Sequence, residues 1–189
     1  RMDLVPAAVR SSLSRTTGAV LALGLAVVLV TAACSVPAEP TPPTAPPLTS
    51  TFDSPEALAQ AVLTALASGD LERLRALALS EAEFRDHVWP ELPTSRPERN
   101  VPFEYAWGQM KQRSDGHLQQ TFSRYARRPL KFVRTRFTGE TTTYATFSVM
   151  RESEIVATDD TGRDLVLRLY GSALVKDGRY KMFSFVVDE

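Results

Sequence analysis

The sequence predicts an α+β fold, with helices first in the chain and strands afterwards. Three observations carry this prediction. Apolar residues recur at helical spacing between Ser54 and Tyr125, and residues typical of helix caps separate the periodic segments. From Pro129 the apolar period changes to two, and glycine-containing turns divide the rest of the chain. We therefore expect N-terminal helices packed on a four-stranded antiparallel meander sheet.

The first two predicted helices have clear boundary signals. Ser54 precedes Pro55, which places an N-cap residue before a proline at the first helical position. Gly69 ends that helix, and Asp70 provides the N-cap of the second. Both segments carry one apolar face, so we expect them to lie on the sheet.

A third and a fourth helix come next. "SEAE", from Ser80 to Glu83, is a capping box that opens a short helix stopped by Pro90. The longest helical pattern covers 102–125, and "SDG" at 114–116 weakens its middle or divides it.

Four strands complete the predicted domain. Gly139, "DDTG" at 159–162 and "DG" at 177–178 mark the turns between them, and "DG" is a strong hairpin signal. The predicted strands cover residues 130–138, 143–158, 164–176 and 179–187.

The order of elements over about 53–189 resembles the NTF2-like, or cystatin-like, α+β roll, in which a curved sheet wraps a helical layer. "FEYAWGQMKQRSDG" and "YGSALVKDGRYKMFSFVVD" are also similar to segments of uncharacterised bacterial lipoproteins. The roll implies an enzymatic alternative, because some NTF2-like domains hold an acid and a tyrosine inside the cone for isomerase or dehydratase chemistry. The tyrosines that could serve are Tyr105, Tyr144, Tyr170 and Tyr180, and the alternative is that they pack on the sheet.

The first 33 residues have the pattern of a secretory leader. Three arginines against one acid precede an uncharged run of 15 residues, Ala19 to Ala33. As a helix this run would cover about 22 Å, short of the roughly 30 Å hydrocarbon core of a bilayer. We therefore predict a signal peptide over 1–33 rather than a membrane-spanning helix.

Cys34, the single cysteine, comes directly after this run. "TAAC" at 31–34 resembles the lipobox of bacterial lipoproteins, although Thr31 stands where that family usually has Leu. The resemblance implies that Cys34 becomes a lipidated N-terminus held on a membrane by several acyl chains. The alternatives are a buried structural cysteine and a secreted protein cut after Ala33 without lipid.

Six prolines lie between Cys34 and Ser50. Proline fixes φ and removes hydrogen-bond donors, so the segment favours extended polyproline II. About 16 residues at roughly 3.1 Å each give a reach of about 50 Å. We call residues 34–52 the tether, and we assign 53–189 to the α+β domain.

Charge and motifs exclude several function classes. Residues 34–189 include 19 basic and 21 acidic residues. This part of the chain therefore lacks the positive electrostatic field of a nucleic-acid binder. Glycine loops for phosphate and a G-x-S-x-G elbow are absent, and no cofactor is expected.

Two histidines are candidate site residues. Glu83 and His87, which is next to Asp86, are spaced so that both side chains could lie on one helix face as half of a metal site. Two ligands are too few for such a site. We therefore expect a solvated helix face and no metal. His117 lies next to Gly116 and has no nucleophile to activate.

Two surfaces could meet a partner. Six basic residues in "RYARRPLKFVRTR", 124–136, form either a patch for anionic groups or a solvated edge, and we expect the edge. The strands at 164–176 and 179–187 are apolar on both faces, so the second face is a cavity wall, a dimer interface or a docking surface.

Together these features predict an extracytoplasmic, membrane-anchored lipoprotein of a bacterial cell envelope. Its domain is expected to bind or scaffold, with an envelope protein or a second copy as a possible partner. An NTF2-like enzyme is the alternative.

Overall fold

Helices precede strands, as predicted, in a computed structural model that describes residues 45–187. The predicted leader, Cys34 and the first part of the tether lie outside the described residues. The α+β class is therefore confirmed for this part of the chain.

The first helix begins and ends where its cap residues predict, and the second begins directly after its predicted N-cap, Asp70. Helix α1, Pro55–Ser68, has Ser54 as its N-cap, whose hydroxyl accepts a backbone N–H at 3.1 Å. Gly69 ends it at a φ of 67°, a left-handed conformation that suits glycine. Helix α2, Leu71–Ala76, comes directly afterwards and buries Leu74.

The capping box also forms. Ser80 and Glu83 exchange backbone-to-side-chain hydrogen bonds at the start of α3, Glu81–Glu83. The chain continues as one π-helical turn, Phe84–Val88, and then as short 3₁₀ turns to residue 99. Helix α4, Phe103–Tyr125, is continuous, so "SDG" does not divide it.

In the part of the chain that the structure describes, seven short strands form two antiparallel sheets. The order is β1-β4-β5 in the three-stranded sheet and β2-β3-β6-β7 in the four-stranded sheet. The strands are β1 (Lys131–Phe137), β2 (Thr142–Thr143), β3 (Ser148–Arg151), β4 (Ser153–Thr158), β5 (Asp164–Leu167), β6 (Ser172–Lys176) and β7 (Arg179–Ser184).

The prediction of a single four-stranded sheet was therefore wrong in detail. The second predicted strand breaks between β3 and β4 because Glu152 takes a left-handed φ of 55°. The third breaks between β5 and β6, where the backbone of Gly171 approaches Val186 so closely that a Cβ would lie 1.7 Å from its carbonyl oxygen. Neighbouring strands still pair in the meander order, with β2 as an added edge strand.

Two apolar clusters lie on opposite faces of the four-stranded sheet. Helix α1 packs on a face that includes Ala173 and Met182. The chain from Leu79 to Val88 and the first half of α4 cover the other, which includes Val149 and Leu174. The protein's own chain thus covers much of the second apolar face, and Phe183 on that face lines a cavity.

Candidate functional site

The end of the tether lies against the folded domain. Thr51 and Phe52 run beside β7, whose Tyr180 exchanges two backbone hydrogen bonds of 2.8 Å with Phe52. Arg179 donates to the carbonyl oxygen of Thr51 at 2.9 Å. The sequence predicts a free tether up to residue 52, but its last residues are held as a partner of an edge strand.

A buried ion pair holds the tether at Thr49. Glu83 Oε1 accepts hydrogen bonds from the Thr49 backbone N–H at 2.7 Å and from its hydroxyl at 2.9 Å. Lys181 Nζ lies 3.3 Å from the other oxygen of Glu83 and donates to the Thr49 carbonyl oxygen at 2.8 Å. The carboxylate, the ammonium and the tether backbone therefore satisfy one another in a site that is closed to water at Lys181.

The surroundings shift the pKa of both charged groups. Burial raises the pKa of Glu83, but hydrogen bonds from the backbone of Ser80 and Thr49 and the charge of Lys181 outweigh this effect. The pKa of Glu83 is therefore lowered from its ordinary value of 4.5. Burial lowers the pKa of Lys181 below its ordinary value, and Glu83 opposes that shift. Glu83 is thus held as a carboxylate within the fold.

His87 binds the tether three residues earlier. Its Nε2 donates to the carbonyl oxygen of Pro46 at 2.7 Å, and its Nδ1 lies 3.3 Å from Lys176 Nζ. The prediction that Glu83 and His87 lie on a solvated helix face was wrong, because both side chains are buried. Each has its own tether contact, and they do not converge on a shared ligand.

A groove about 670 Å³ in volume lies beneath the tether. We call it the tether groove. Its floor carries charged and imidazole side chains already bonded within the chain, such as Glu91, which accepts from the backbone of Ala145 and Thr146. The tether forms one wall, through Ala45, Pro47, Leu48 and Thr51.

A second space, about 440 Å³ in volume, lies between α2, α3, α4 and β7. We call it the apolar cavity. Most of its lining surface is apolar, and Thr49 and Ser50 of the tether form part of its rim. Its apolar wall consists of Leu79, Trp107, Met110, Leu118, Phe183 and Phe185.

The mouth of the apolar cavity carries charges from two helices. Lys111 and Asp115 of α4 form an ion pair at 2.6 Å. Arg75 of α2 stands 3.7 Å from Glu72 and 3.9 Å from Asp115, and its buried Nε has no hydrogen-bond partner among the described residues. An apolar chamber with a small polar mouth is the usual form of a site for a small ligand.

The four tyrosines do not assemble a catalytic site. Tyr105 is exposed, Tyr144 stacks on Phe147, and Tyr180 lies beside the tether. Tyr170 is fully buried, and its hydroxyl lies beside the side chains of Thr135 and Ser153. Burial raises its pKa, so the phenol keeps its proton, and no carboxylate in the described part of the chain hydrogen-bonds to it.

The remaining candidates lie on the surface. His117 is half-buried on α4 and faces a polar groove with Arg124 and Arg168. All six basic residues of 124–136 are exposed, and Arg136 pairs with Glu154 of β4 at 2.6 Å. Lys131, Arg134 and Arg136 of this stretch lie on β1, which is an edge strand of the three-stranded sheet.

Within residues 45–187, no three His, Cys, Asp or Glu side chains come together in a way that could hold a metal ion. In the same part of the chain, none of the helices has both the length and the apolar character needed to cross a bilayer. Comparison with known proteins gave no match to a family model, to a curated protein or to a solved structure.

Proposed function

We propose that this protein is a lipid-anchored, extracytoplasmic binding module of a cell envelope. The leader at 1–33 is removed, Cys34 receives acyl chains, and the tether holds the domain outside the membrane. The sequence around Cys34 supports this anchor. A single acyl chain gives only marginal membrane binding, whereas several chains bind firmly.

The apolar cavity is the observation that carries the binding function. Leu118 and Phe185 in its wall are buried, while Trp107, Met110 and Phe183 are partly exposed and line the cavity. A volume of about 440 Å³ falls in the range of small-molecule sites. Partly open aromatic side chains gain free energy when a ligand covers them, at roughly 25 cal/mol per Å² of apolar area.

An NTF2-like roll is the finer fold that we propose for the domain. The helices before the strands, the meander pairing and the breaks at Glu152 and Gly171 support a sheet that curves around a helical layer. Binding is favoured over isomerase or dehydratase chemistry because the tyrosines are dispersed.

The substitution Cys34→Ala tests the anchor. We expect the variant to leave the membrane fraction of the cells that produce the protein, while Ser35→Ala stays in it. Fractionation at high salt is the measurement, because salt removes surface electrostatic binding and leaves acyl insertion. Retention of Cys34→Ala in the membrane after a salt wash would contradict the lipid anchor.

A further inference from the structure

The charges around the apolar cavity are matched in number. Each of the four carboxylates that line it has a cation within 4.0 Å. The pairs are Glu81 with Arg85 at 2.8 Å, Asp115 with Lys111 at 2.6 Å, the buried Glu83 with Lys181 at 3.3 Å, and Glu72 with Arg75 at 3.7 Å. The mouth therefore offers no surplus charge of either sign to a ligand.

This balance disfavours a charged ligand. An ion that moves from water into an apolar space loses solvation, and the loss is compensated only by an opposite charge that is free to pair with it. A charged head would therefore have to displace a partner from one of these pairings. An uncharged ligand meets no such cost.

Arg75 nevertheless provides a polar contact. Its contacts with Glu72 and Asp115 are longer than hydrogen bonds, and although its Nε is buried, the Arg75 side chain as a whole is 41% exposed. A guanidinium has five N–H donors, so this side chain keeps donor capacity at the mouth. A neutral oxygen can accept from it, whereas a ligand carboxylate would stand next to two carboxylates already present.

We propose that the apolar cavity binds an uncharged, single-chain amphiphile: a hydrocarbon chain against Trp107, Met110 and Phe183, and a neutral ester or alcohol head at Arg75. This inference rests on the proposed binding function and specifies its ligand class. The partial exposure of the three apolar side chains supports the position of the chain. The matched charges and Arg75 support the neutral head.

Three amphiphiles with twelve-carbon chains test the selectivity for a neutral head group: dodecanoyl glycerol, dodecanoate and dodecylammonium. Each is titrated below its micelle concentration into the full chain, with calorimetry as the readout. The Met110→Trp variant, which fills the cavity, measures binding elsewhere on the chain, and Met150→Trp on β3 is the matched control. Met110→Phe replaces the first variant if that one fails to fold.

We expect the component of binding that Met110→Trp removes to be at least tenfold tighter for dodecanoyl glycerol than for either charged amphiphile. Arg75→Met should reduce that affinity about tenfold, because a hydrogen bond from a charged donor is lost. Dodecanoate or dodecylammonium binding equally tightly in the cavity would overturn the neutral-head inference while leaving the cavity a binding site. If none of the three shows a component that Met110→Trp removes, both the inference and the proposed binding site fail.

Discussion

The tether groove and the apolar cavity lie on either side of the docked tether, yet they use their polar groups differently. In the tether groove, His87 and Glu91 are bonded to the chain's own backbone. In the apolar cavity, aromatic side chains line the interior and Arg75 Nε has no hydrogen-bond partner in the described structure. Satisfied polar groups hold a structure together, whereas open apolar surface is available to a ligand.

This difference predicts a separation of effects. Substitutions in the tether groove, at His87 or Glu91, should lower the free energy of unfolding and leave ligand affinity little changed, whereas Glu83 lines the apolar cavity as well as holding the tether. Substitutions in the apolar cavity should do the reverse.

The largest effect is expected from Glu83→Gln. The amide leaves the buried Lys181 without a counter-charge and presents an NH₂ group to donors that need an acceptor. Breaking a buried pair in this way costs about 3–5 kcal/mol, which urea unfolding at pH 7 will measure. Glu81→Gln, two residues away on the exposed side of the helix, is the control and should stay within about 0.5 kcal/mol. A loss under about 1 kcal/mol for Glu83→Gln would show that the pair does not stabilise the fold.

The same variant also makes a prediction about how stability depends on pH. Because the pKa of Glu83 in the fold lies below 4.5, its unfolded reference, its contribution is fully present above that pH and is lost as the pH falls through the folded value. The stability gap between the native chain and Glu83→Gln should therefore narrow steadily below pH 4.5. Unfolding curves at several acidic pH values check this. A gap that widens toward low pH would reverse the sign of the assigned shift.

His87→Phe should have a smaller effect. The ring volume is nearly kept, but Pro46 loses its donor and accepts from water instead, since it is exposed. One hydrogen bond of this kind contributes about 1 kcal/mol to stability. Urea unfolding measures it, with His117→Phe on α4 as the control. If His87→Phe and His117→Phe lose the same amount of unfolding free energy, the contact between His87 and Pro46 does not stabilise the fold.

Met110→Trp should change stability least, by about 1 kcal/mol or less, because the larger side chain enters existing space rather than a packed core. Its effect should appear in ligand binding, as described for the dodecyl amphiphiles. A destabilisation of about 3 kcal/mol would instead indicate that the space is too small to hold a ligand.

Local signals explain why the helices were predictable. The caps at Ser54, Gly69 and Ser80 act within a few residues of the chain, so the sequence indicates the helix boundaries next to them. The breaks in the strands carry no such signal: one is at the left-handed Glu152, and the other is where Gly171 approaches Val186. Nothing near residue 171 reveals that contact.

The candidate site was harder to predict for the same reason. Lys181 and Glu83 are almost a hundred residues apart, and the capping box alone accounted for Glu83 in the sequence. One signal was present: Lys181 shares an apolar strand face with Phe183. A lysine in that position needs a buried carboxylate as its partner. The sequence does not indicate which carboxylate this is, and the structure identifies it as Glu83.

The most direct test of the account is native mass spectrometry of the intact protein released from the membranes of the cells that produce it. We expect a chain that begins at an acylated Cys34 and carries a non-covalent, uncharged ligand that Met110→Trp removes. An intact leader with an unmodified Cys34, and an identical ligand-free spectrum for both proteins, would contradict it.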